Sequence, residues 1–381
     1  MEPSKRLRVL QISHDYEGPF CAICRQYAYA FSDHDVTTLY ICGRRDDVVV
    51  ESTGGDRVLF LEQPNASMRG IKLGTILKIA RSFREKTFDV VIAHRYKPIY
   101  FAGIMSYFFP IQVLLGVAHE HGVFNRLTRR LFITFWRRNI VCIGVSKSVS
   151  MDIEANCGPL RDKGRLFTLP HAVDIAKLSS VLDREEARAR LGIGPASFCF
   201  GTVGRLVRKK DHDVLLSAFS GLCELEAGCD AELVIVGSGR EEQQLKRRAR
   251  ELGIDHRVSF QGHVDDAYRY MKALDVFVLS SGAMEAFGMV LLEAMLARVP
   301  VISSDAPGPL EVVGDAALVF KTGDANDLLD RLREVRRMSP AELKRLSDAG
   351  LERVRNDYTF DAFRRRVWEI PALASLSSGV E

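Results

Sequence analysis

The sequence predicts an α/β protein built from two domains, each with a parallel β-sheet. Short apolar runs rich in β-branched residues alternate with longer amphipathic segments almost throughout the chain, which is the pattern of βαβ units. The 381 residues also exceed the length at which a single hydrophobic core usually stops growing. We therefore expect two doubly wound, Rossmann-like domains.

The first domain is expected at residues 1–174, together with a C-terminal helix at about residues 359–381. Its predicted strands are residues 8–13, 36–41, 58–61, 90–93, 113–118 and 141–145. The stretch 99–118 carries no charge over about the length of a membrane span. Because Pro110 lies in its middle, we predict a buried helix, a turn and a buried strand there instead.

The second domain is expected at residues 175–358, after a break at residues 169–174. Its predicted strands are residues 198–203, 232–236, 258–260, 276–279, 299–303 and 317–320. Ser339, Pro340 and Glu342 form a predicted capping box with proline at the first helical position. Residues 359–376 are predicted to be helical.

The charge distribution argues against a nucleic-acid binder. Residues 1–175 hold 24 Lys+Arg against 17 Asp+Glu, a balance of +7, and the remainder hold 29 against 32, a balance of −3. No basic recognition motif with interleaved aromatic residues is present. An anionic membrane surface or an acidic glycan fits this mild asymmetry better.

A basic segment at residues 125–138 suggests peripheral membrane attachment. Five arginines interleave there with Leu, Phe, Ile and Trp. If the segment is helical, Phe132 and Trp136 share one face and could enter a lipid interface. The alternative is that the apolar side chains pack on the sheet and the arginines are solvated.

The eight cysteines are scattered along the chain and are expected to be reduced thiols. The apolar run near the N-terminus is too short for a signal sequence, so we expect a cytoplasmic protein, peripheral to the membrane at most. Cys21 and Cys24 form a C-x-x-C pair without a second pair at zinc-site spacing, which favours ordinary helix packing.

The segment 280–293 is the first candidate for chemistry. A strand ends, a loop presents Glu285, and a helix begins near Gly288. A helix N-terminus offers N–H donors and partial positive charge to a diphosphate. Glu285 would then lie beside a sugar, and Glu293, two turns along the helix, could reach ribose hydroxyls. Two solvated glutamates are the alternative.

A second candidate is the basic loop 204–210, directly after the first strand of the second domain. Arg205 and Lys210 could neutralise a leaving diphosphate there, although a solvated basic loop is the alternative. The nearby Gly237-Ser238-Gly239 lacks a third glycine at the spacing of a dinucleotide-binding motif, and no Walker lysine is present. The sequence therefore gives only weak support for a phosphate-binding loop of the NAD or ATP type.

These residues resemble glycosyltransferase family 4, most specifically over residues 201–313. Glu285 and Glu293 match the family's E-x7-E motif, and Arg205 with Lys210 match its diphosphate-binding pair. The segments VGSG at 236–239, VSFQGHV at 258–264 and EAMLARVPVISSDAPGPLEVV at 293–313 follow in the family's order.

The resemblance implies a GT-B fold, with two Rossmann-like domains facing across a cleft and a C-terminal helix crossing back to the first domain. It implies a retaining enzyme whose nucleotide diphosphate sugar donor, a UDP- or GDP-sugar, is held mainly by the second domain and whose acceptor is held mainly by the first. No cofactor is expected. Residues near Gly262 and His263 would contact the base. The remaining donor-binding positions that it implies are Gly18, Phe287, Gly288, Met289 and Val290.

The resemblance also implies one histidine near the donor sugar, at the end of a first-domain strand. His119 and His121 are the candidates, and we favour His121 because it precedes a glycine. A zinc site at this H-x-H is the rival, without an evident third ligand. His94 could line the acceptor cleft, or could be a packed or surface histidine.

The chain departs from the family pattern at several positions. The paired glycine of the first loop is Gly18-Pro19, and the usual Pro-Asn-Gly is Pro170-His171-Ala172. Asp211 replaces the glycine after the lysine, and Ala297-Arg298 stands where Ala-Gly or Cys-Gly is usual. The contacts of the first loop, and with them the donor, stay open.

Two D-x-D triplets, at residues 33–35 and 211–213, are not placed to hold a metal on a donor. The first precedes a strand and the second begins a helix, where acidic residues are common. No metal is therefore expected.

The expected function is transfer of a sugar to a glycan or lipid-linked acceptor, in polysaccharide or lipopolysaccharide assembly. Within enzymes the alternative is a sugar nucleotide epimerase. From another class, a non-catalytic GT-B binding or scaffold protein is the alternative.

Overall fold

Two parallel sheets organise the chain in the computed structural model, which describes residues 6–64, 73–85, 87–135, 140–226 and 230–377. The chain divides into a first unit, Met1–Ala172 with Phe360–Glu381, and a second unit, Val173–Thr359. Each unit is an α/β structure around its own sheet.

The sheet of the first unit has seven parallel strands in the order β3-β2-β1-β4-β5-β6-β7. The strands are β1 (Arg8–Ser13), β2 (Asp35–Cys42), β3 (Arg57–Gln63), β4 (Val90–His94), β5 (Val113–Ala118), β6 (Ile140–Gly144) and β7 (Leu166–Thr168). Every residue of β4, β5 and β6 is buried, which is typical of a parallel strand covered on both faces.

The helices of the first unit connect these strands. They are α1 (Phe20–Ala30), α2 (Asp47–Thr53), α3 (Leu73–Glu85), α4 (Tyr96–Phe108), α5 (Leu127–Phe135), α6 (Lys147–Asn156) and α7 (Pro159–Asp162). The uncharged stretch is α4 followed by β5, which confirms the predicted helix, turn and strand.

The sheet of the second unit has six parallel strands in the order β10-β9-β8-β11-β12-β13. The strands are β8 (Phe198–Val203), β9 (Ala231–Val236), β10 (Val258–Gly262), β11 (Val276–Leu279), β12 (Val301–Ser304) and β13 (Leu318–Phe320). This is the strand order of the doubly wound Rossmann fold, with its switch point between β8 and β11.

Seven helices belong to the second unit in the described ranges. They are α8 (Arg184–Leu191), α9 (His212–Leu225), α10 (Glu242–Glu251), α11 (Met289–Leu296), α12 (Pro307–Val313), α13 (Ala325–Arg337) and α14 (Pro340–Asp357). The predicted capping box is confirmed, because Ser339 and Glu342 each accept from the backbone N–H of the other at the start of α14.

The C-terminal segment returns to the first unit as predicted, but as two helices, α15 (Phe360–Trp368) and α16 (Pro371–Ser377). The ring of Phe363 packs on Tyr27 of α1 at 4.9 Å between centroids, and the Trp368 indole donates to the carbonyl of Ala30 at 3.0 Å. The single helix predicted over residues 359–376 is wrong, because Pro371 has no N–H to continue the hydrogen-bond ladder.

Candidate active site

The loops after β8 and β11 meet at the switch point of the second unit. The backbone N–H of Gly282 donates to the carbonyl of Lys209 at 2.9 Å, and the Ser280 hydroxyl donates to the carbonyl of Lys210 at 3.0 Å. Ligands of open α/β sheets bind where two such loops diverge from neighbouring strands. The two segments singled out in the sequence therefore form one site.

Lys210 and Glu285 form a buried ion pair in this site. The Lys210 Nζ lies 2.7 Å from Oε2 of Glu285, which also accepts from the Ser281 hydroxyl at 3.2 Å. Burial alone would raise the pKa of Glu285, but the contact with Lys210, helped by Lys209 and Ser281, lowers it below its ordinary value. Glu285 is thus an ionised carboxylate at neutral pH.

Arg205 stands exposed at the start of the same basic loop. Its guanidinium has no ion-pair partner among the residues that the structure describes. The backbone around it is fixed, because the N–H of Leu206 donates to the carbonyl of Ser238 at 2.9 Å. A Cβ on Gly237 would lie 1.9 Å from the carbonyl oxygen of Gly204, so only glycine permits this approach of the two loops.

The start of α11 presents backbone N–H groups beside this loop. Gly288 caps the helix at φ 95°, a conformation that favours glycine, and no side chain caps the helix. The Phe287 side chain is buried against Tyr358, with 6.0 Å between ring centroids, and Met289 and Val290 pack on the core. These three residues therefore offer a ligand their backbone and not the buried part of their side chains.

Glu293 is paired with a lysine that the sequence did not single out. The Lys177 Nζ lies 3.6 Å from Oε1 of Glu293, and both side chains are partly buried. Burial raises the pKa of Glu293, Lys177 lowers it, Asp266 raises it, and the pKa ends above its ordinary value. Lys177 could not be recognised beforehand because it lies 116 positions earlier in the chain.

Gly262 and His263 lie at the end of β10. Gly262 has a φ of 69° beside an irregularity in the pairing of β10 with β9, and its carbonyl accepts from the N–H of Gly237 at 2.7 Å. His263 is exposed and its Nε2 lies 3.1 Å from Asp265. The end of β10 is thus joined to the loop that supports Arg205.

In the first unit, Gly18 lies in the loop between β1 and α1, at φ 59°. The same loop holds Asp15, whose carboxylate pairs with Arg95 at 3.3 Å. Arg95 follows β4 at φ 70°, unusual for a residue with a Cβ, and its guanidinium lies 3.7 Å from the centroid of the Phe20 ring. The sequence reasoning did not single out Arg95.

Three histidines from distant segments form a continuous hydrogen-bonded chain in the first unit. His94 Nδ1 lies 3.3 Å from His119 Nε2, and His119 Nδ1 lies 3.3 Å from His171 Nε2. Of the alternatives that the sequence left open for His94, the structure shows the packed histidine, because His94 is the last residue of β4 and fully buried. This histidine chain joins β4, the end of β5 and the segment before Val173.

The glutamines at the two ends fix the direction of this chain. The N–H of Ala172 donates to Oε1 of Gln26 at 2.9 Å, so the Gln26 amide nitrogen donates to His171 Nδ1, also at 2.9 Å. Neutral His171 then carries its proton on Nε2 and donates onward. The chain ends at Gln11 Oε1, 3.4 Å from His94 Nε2.

All three members of this histidine chain are held neutral. Burial, together with the neighbouring histidines and Arg95, lowers the pKa of His94 to about 3 and that of His119 well below its ordinary value. Burial alone lowers the pKa of His171 to about 3. Each ring is therefore the Nε2–H tautomer, with both nitrogens in hydrogen bonds.

His121 lies outside this chain. Its Nε2 is 3.1 Å from the Ser148 hydroxyl, while its buried Nδ1 has no hydrogen-bond partner among the described residues. His119 and His121 are thus chemically different in the structure: the first has both ring nitrogens engaged, and the second has one nitrogen without a partner.

No group of three or more His, Cys, Asp or Glu residues that could hold a metal ion occurs in the described part of the chain. In the two D-x-D triplets, Asp33 pairs with Arg364, and Asp213 pairs with Arg248 at 3.2 Å. Cys24 is buried within α1, where burial raises its pKa to about 12.

The basic segment forms α5 up to Phe135, and Trp136, Arg137 and Arg138 lie outside the described residues. Phe132 packs on Tyr100 at 5.0 Å between ring centroids, so it does not point freely outward as the membrane hypothesis supposed. Leu127 and Leu131, 67% and 47% exposed, are the outward apolar side chains. No helix in the described ranges is long and apolar enough to cross a membrane.

Comparison with known proteins finds similarity over the part of the chain that carries the Lys210–Glu285 site. Residues 183–353 match the family model "Glycosyl transferases group 1". The chain is also 35% identical over 175 residues to the lipopolysaccharide core biosynthesis glycosyltransferase LpsD of Rhizobium meliloti, covering 45% of this chain and 49% of that protein. The chain spans about half the length of the curated relatives that it matches.

Solved structures match the whole fold. A glycosyltransferase from Rickettsia africae superposes with a TM-score of 0.83 at 15% identity, over 99% of this chain and 100% of that one. HepE of Anabaena in complex with UDP and glucose superposes with a TM-score of 0.80 at 19% identity, over 97% and 100% of the two chains. The predicted GT-B fold is therefore confirmed.

Proposed function

We propose that this protein is a retaining glycosyltransferase of family 4. It transfers a sugar from a UDP- or GDP-sugar to a glycan or lipid-linked acceptor in the assembly of lipopolysaccharide or another cell-surface polysaccharide. The buried Lys210–Glu285 pair beside the open helix end of α11 carries the proposal. The names of HepE's ligands and of LpsD support the donor and acceptor classes.

The chemistry follows from how this pair would respond to a donor. A diphosphate carries more charge than a carboxylate, so Lys210 turns from Glu285 toward it, joined by Arg205 and the N–H groups of α11. These cations stabilise charge that develops as the bond between the anomeric carbon and the phosphate oxygen breaks. No metal is needed in this scheme.

The donor sugar then lies next to the Glu285 carboxylate. Released from Lys210, the carboxylate accepts hydrogen bonds from sugar hydroxyls and stabilises the positive charge of the oxocarbenium-like transition state. The acceptor oxygen bonds to the anomeric carbon on the face that the diphosphate leaves, and its proton passes to the leaving phosphate oxygen. The anomeric configuration is retained.

We propose His121, and not His119, as the histidine that contacts the substrate. Both ring nitrogens of His119 are engaged in the histidine chain, whereas Nδ1 of His121 has no partner among the residues that the structure describes. Replacing His121 with alanine should reduce turnover without lowering the thermal midpoint much, while replacing His119 should destabilise the first unit. The opposite pattern would reverse the assignment.

The experiment begins with a thermal-shift screen against UDP-, GDP-, ADP- and CMP-sugars. The stabilising donor is then incubated with and without lipid-linked acceptors, and products are separated. Donor hydrolysis or transfer supports a glycosyltransferase. An isomerised sugar nucleotide indicates the epimerase, and binding without turnover indicates a scaffold protein.

Two variants and one control test the site itself. Lys210→Ala and Glu285→Gln should each lower turnover by about 10²- to 10³-fold, the typical loss for one donor to a developing charge. Lys246→Ala is the matched control, because Lys246 makes an ion pair of the same 2.7 Å length with Glu242 on α10. Near wild-type turnover of either site variant would overturn the proposed site.

We also propose that α5 attaches the protein to anionic membranes. The exposed Leu127 and Leu131 lie four residues apart, hence on one face, next to the exposed Arg126. Arg129 and Arg130 donate to the carbonyls of Val123 and Phe124, at 2.8 and 3.1 Å, so they are less available to lipid phosphates. Such attachment is reversible and weakened by salt.

Vesicle sedimentation tests this attachment. The wild type should pellet with phosphatidylserine vesicles at low salt and stay in solution with phosphatidylcholine. The Leu127→Ser, Leu131→Ser double variant should lose most of the binding, whereas Leu225→Ser, an equally exposed leucine in the second unit, should keep it. Equal pelleting of the double variant and the control would overturn the proposal.

A further inference from the structure

The ion pair between Lys177 and Glu293 gives the second glutamate of the site a partner. The Nζ atom lies 3.6 Å from Oε1, and Oε2 accepts no hydrogen bond within the described residues. One carboxylate oxygen therefore faces a fixed charge, and the other is available to a ligand. Under the proposed function that ligand is the ribose of the donor.

Lys177 is held in place by two short 3₁₀ helices, Ile175–Ser180 and Ala267–Ala273. Its ammonium group lies 4.3 Å from the centroid of the Tyr268 ring, a cation–π contact. The Tyr268 hydroxyl is 3.1 Å from the Ser180 hydroxyl, and the Arg269 side chain donates to the Ser180 carbonyl at 3.1 Å. The lysine is thus positioned before any ligand binds.

The electrostatic balance at Glu293 makes this lysine important. Burial raises the pKa of the carboxyl, nearby Asp266 raises it further, and Lys177 opposes both effects. A carboxylate accepts from two vicinal hydroxyls at once, whereas a protonated carboxyl keeps one oxygen for its own proton. Loss of Lys177 therefore disfavours the form that suits a ribose.

We propose that Lys177 is a positioning residue for donor recognition: its ion pair with Glu293 orients that carboxylate to accept hydrogen bonds from the ribose hydroxyls. The inference rests on the proposed function, because it takes the ribose as the partner of Glu293. Lys177 itself does not contact the reacting atoms.

The test compares nucleotides with and without the ribose hydroxyls. Calorimetric Kd values are measured for UDP or GDP, whichever binds the wild type, and for its 2′,3′-dideoxy analogue. Lys177→Met should weaken binding of the ribose form about tenfold and change the dideoxy form less than twofold. Glu293→Gln should give the same pattern, and the double variant should be no worse than Glu293→Gln alone, because both changes remove one interaction.

Two controls separate positioning from general damage. Lys177→Arg keeps the charge and should recover most of the affinity, and Lys272→Met removes a half-buried lysine of the same unit without an effect on either nucleotide. A structural defect would weaken both nucleotides equally, so equal losses with Lys177→Met overturn the inference.

The remaining outcomes distinguish the inference from the proposed function. If Glu293→Gln selectively weakens the ribose form and Lys177→Met does not, the inference about Lys177 fails and the donor site stands. If Glu293→Gln leaves the ribose preference intact, or if neither nucleotide binds the wild type, the proposed donor site fails as well.

Discussion

Acidification should destabilise the first unit through its buried histidines. His94 and His171 are 0% and 4% exposed, and their pKa values are lowered to about 3. An unfolded histidine has a pKa of about 6.5. Below that pH the histidines bind protons in the unfolded chain but stay neutral in the folded unit. The free energy of unfolding therefore falls as the pH drops from about 6.5 toward 3.

The size of the effect follows from linkage. Below the pKa of the unfolded form, each such histidine lowers the free energy of unfolding by about 1.4 kcal/mol per pH unit. Between pH 7 and pH 5 this loss amounts to about 2 kcal/mol. Together His94 and His171 should remove about 4 kcal/mol, and His119 acts in the same direction. Since domains are stable by only about 5–15 kcal/mol, this is a large fraction.

Tryptophan fluorescence can follow the first unit, because both tryptophans of the chain, Trp136 and Trp368, belong to it. Urea unfolding curves are recorded at pH 7, 6 and 5 for the wild type and for His171→Gln. The variant should be less stable at pH 7, and between pH 7 and pH 5 it should lose about 2 kcal/mol less than the wild type, because His94 and His119 remain.

The matched control is His256→Gln, which replaces an exposed histidine of the second unit and should behave like the wild type. An unfolding free energy of the wild type that is the same at pH 7 and pH 5 would refute the neutral histidine chain. So would a His171→Gln variant that keeps the full pH dependence.

Three further predictions concern the second unit. Turnover should survive EDTA, because Arg205, Lys210 and the end of α11 supply the positive charge; loss restored by Mg²⁺ or Mn²⁺ would contradict this. Arg205→Ala should lower turnover about 10²- to 10³-fold with little change in thermal midpoint, and an unchanged rate would remove Arg205 from the site. Gly308→Ala places a Cβ 2.5 Å from the backbone of Glu285, so it should lower turnover by up to about 10²-fold. Gly282→Ala is the control and should lower turnover only slightly, because the nearest atom to its Cβ is 3.6 Å away. Equal losses of turnover in the two variants would contradict the geometry.

Short apolar runs between amphipathic segments were sufficient to predict twelve of the thirteen strands in the described ranges. The predicted strand ends differ from the observed ends by up to about two residues. The exception is β7, whose three half-exposed residues are too few for a periodic signal. The predicted strand at residues 299–303 begins later, at Val301, because Pro300 has no N–H for the ladder. Local patterns thus located the elements but not their ends.

The candidate site was predictable only where its residues belong to a continuous motif. Glu285 and Glu293 lie on one loop and helix, and Arg205 and Lys210 on one loop. Their partners could not be read from spacing: Lys210 and Glu285 are 75 positions apart. The histidine chain joins residues that are 25 and 52 positions apart, so its existence also depends on the tertiary fold. Phe287 is a predicted donor-binding position whose side chain packs in the core, which leaves its backbone for such a contact, and this assignment stays a prediction.

The pKa values of the two glutamates of the site are shifted in opposite directions. Burial raises the pKa of both carboxyls, and a neighbouring lysine lowers it in each case. The effect of the lysine is larger at Glu285, and the effect of burial is larger at Glu293. In the proposed reaction, Lys210 leaves Glu285 for the donor diphosphate, and the Glu285 carboxylate then lies beside the developing cationic sugar. The proposal gives Lys177 no diphosphate to bind, so we expect Lys177 to stay with Glu293. One pair therefore changes partners during the proposed reaction, while the other remains a fixed binding element.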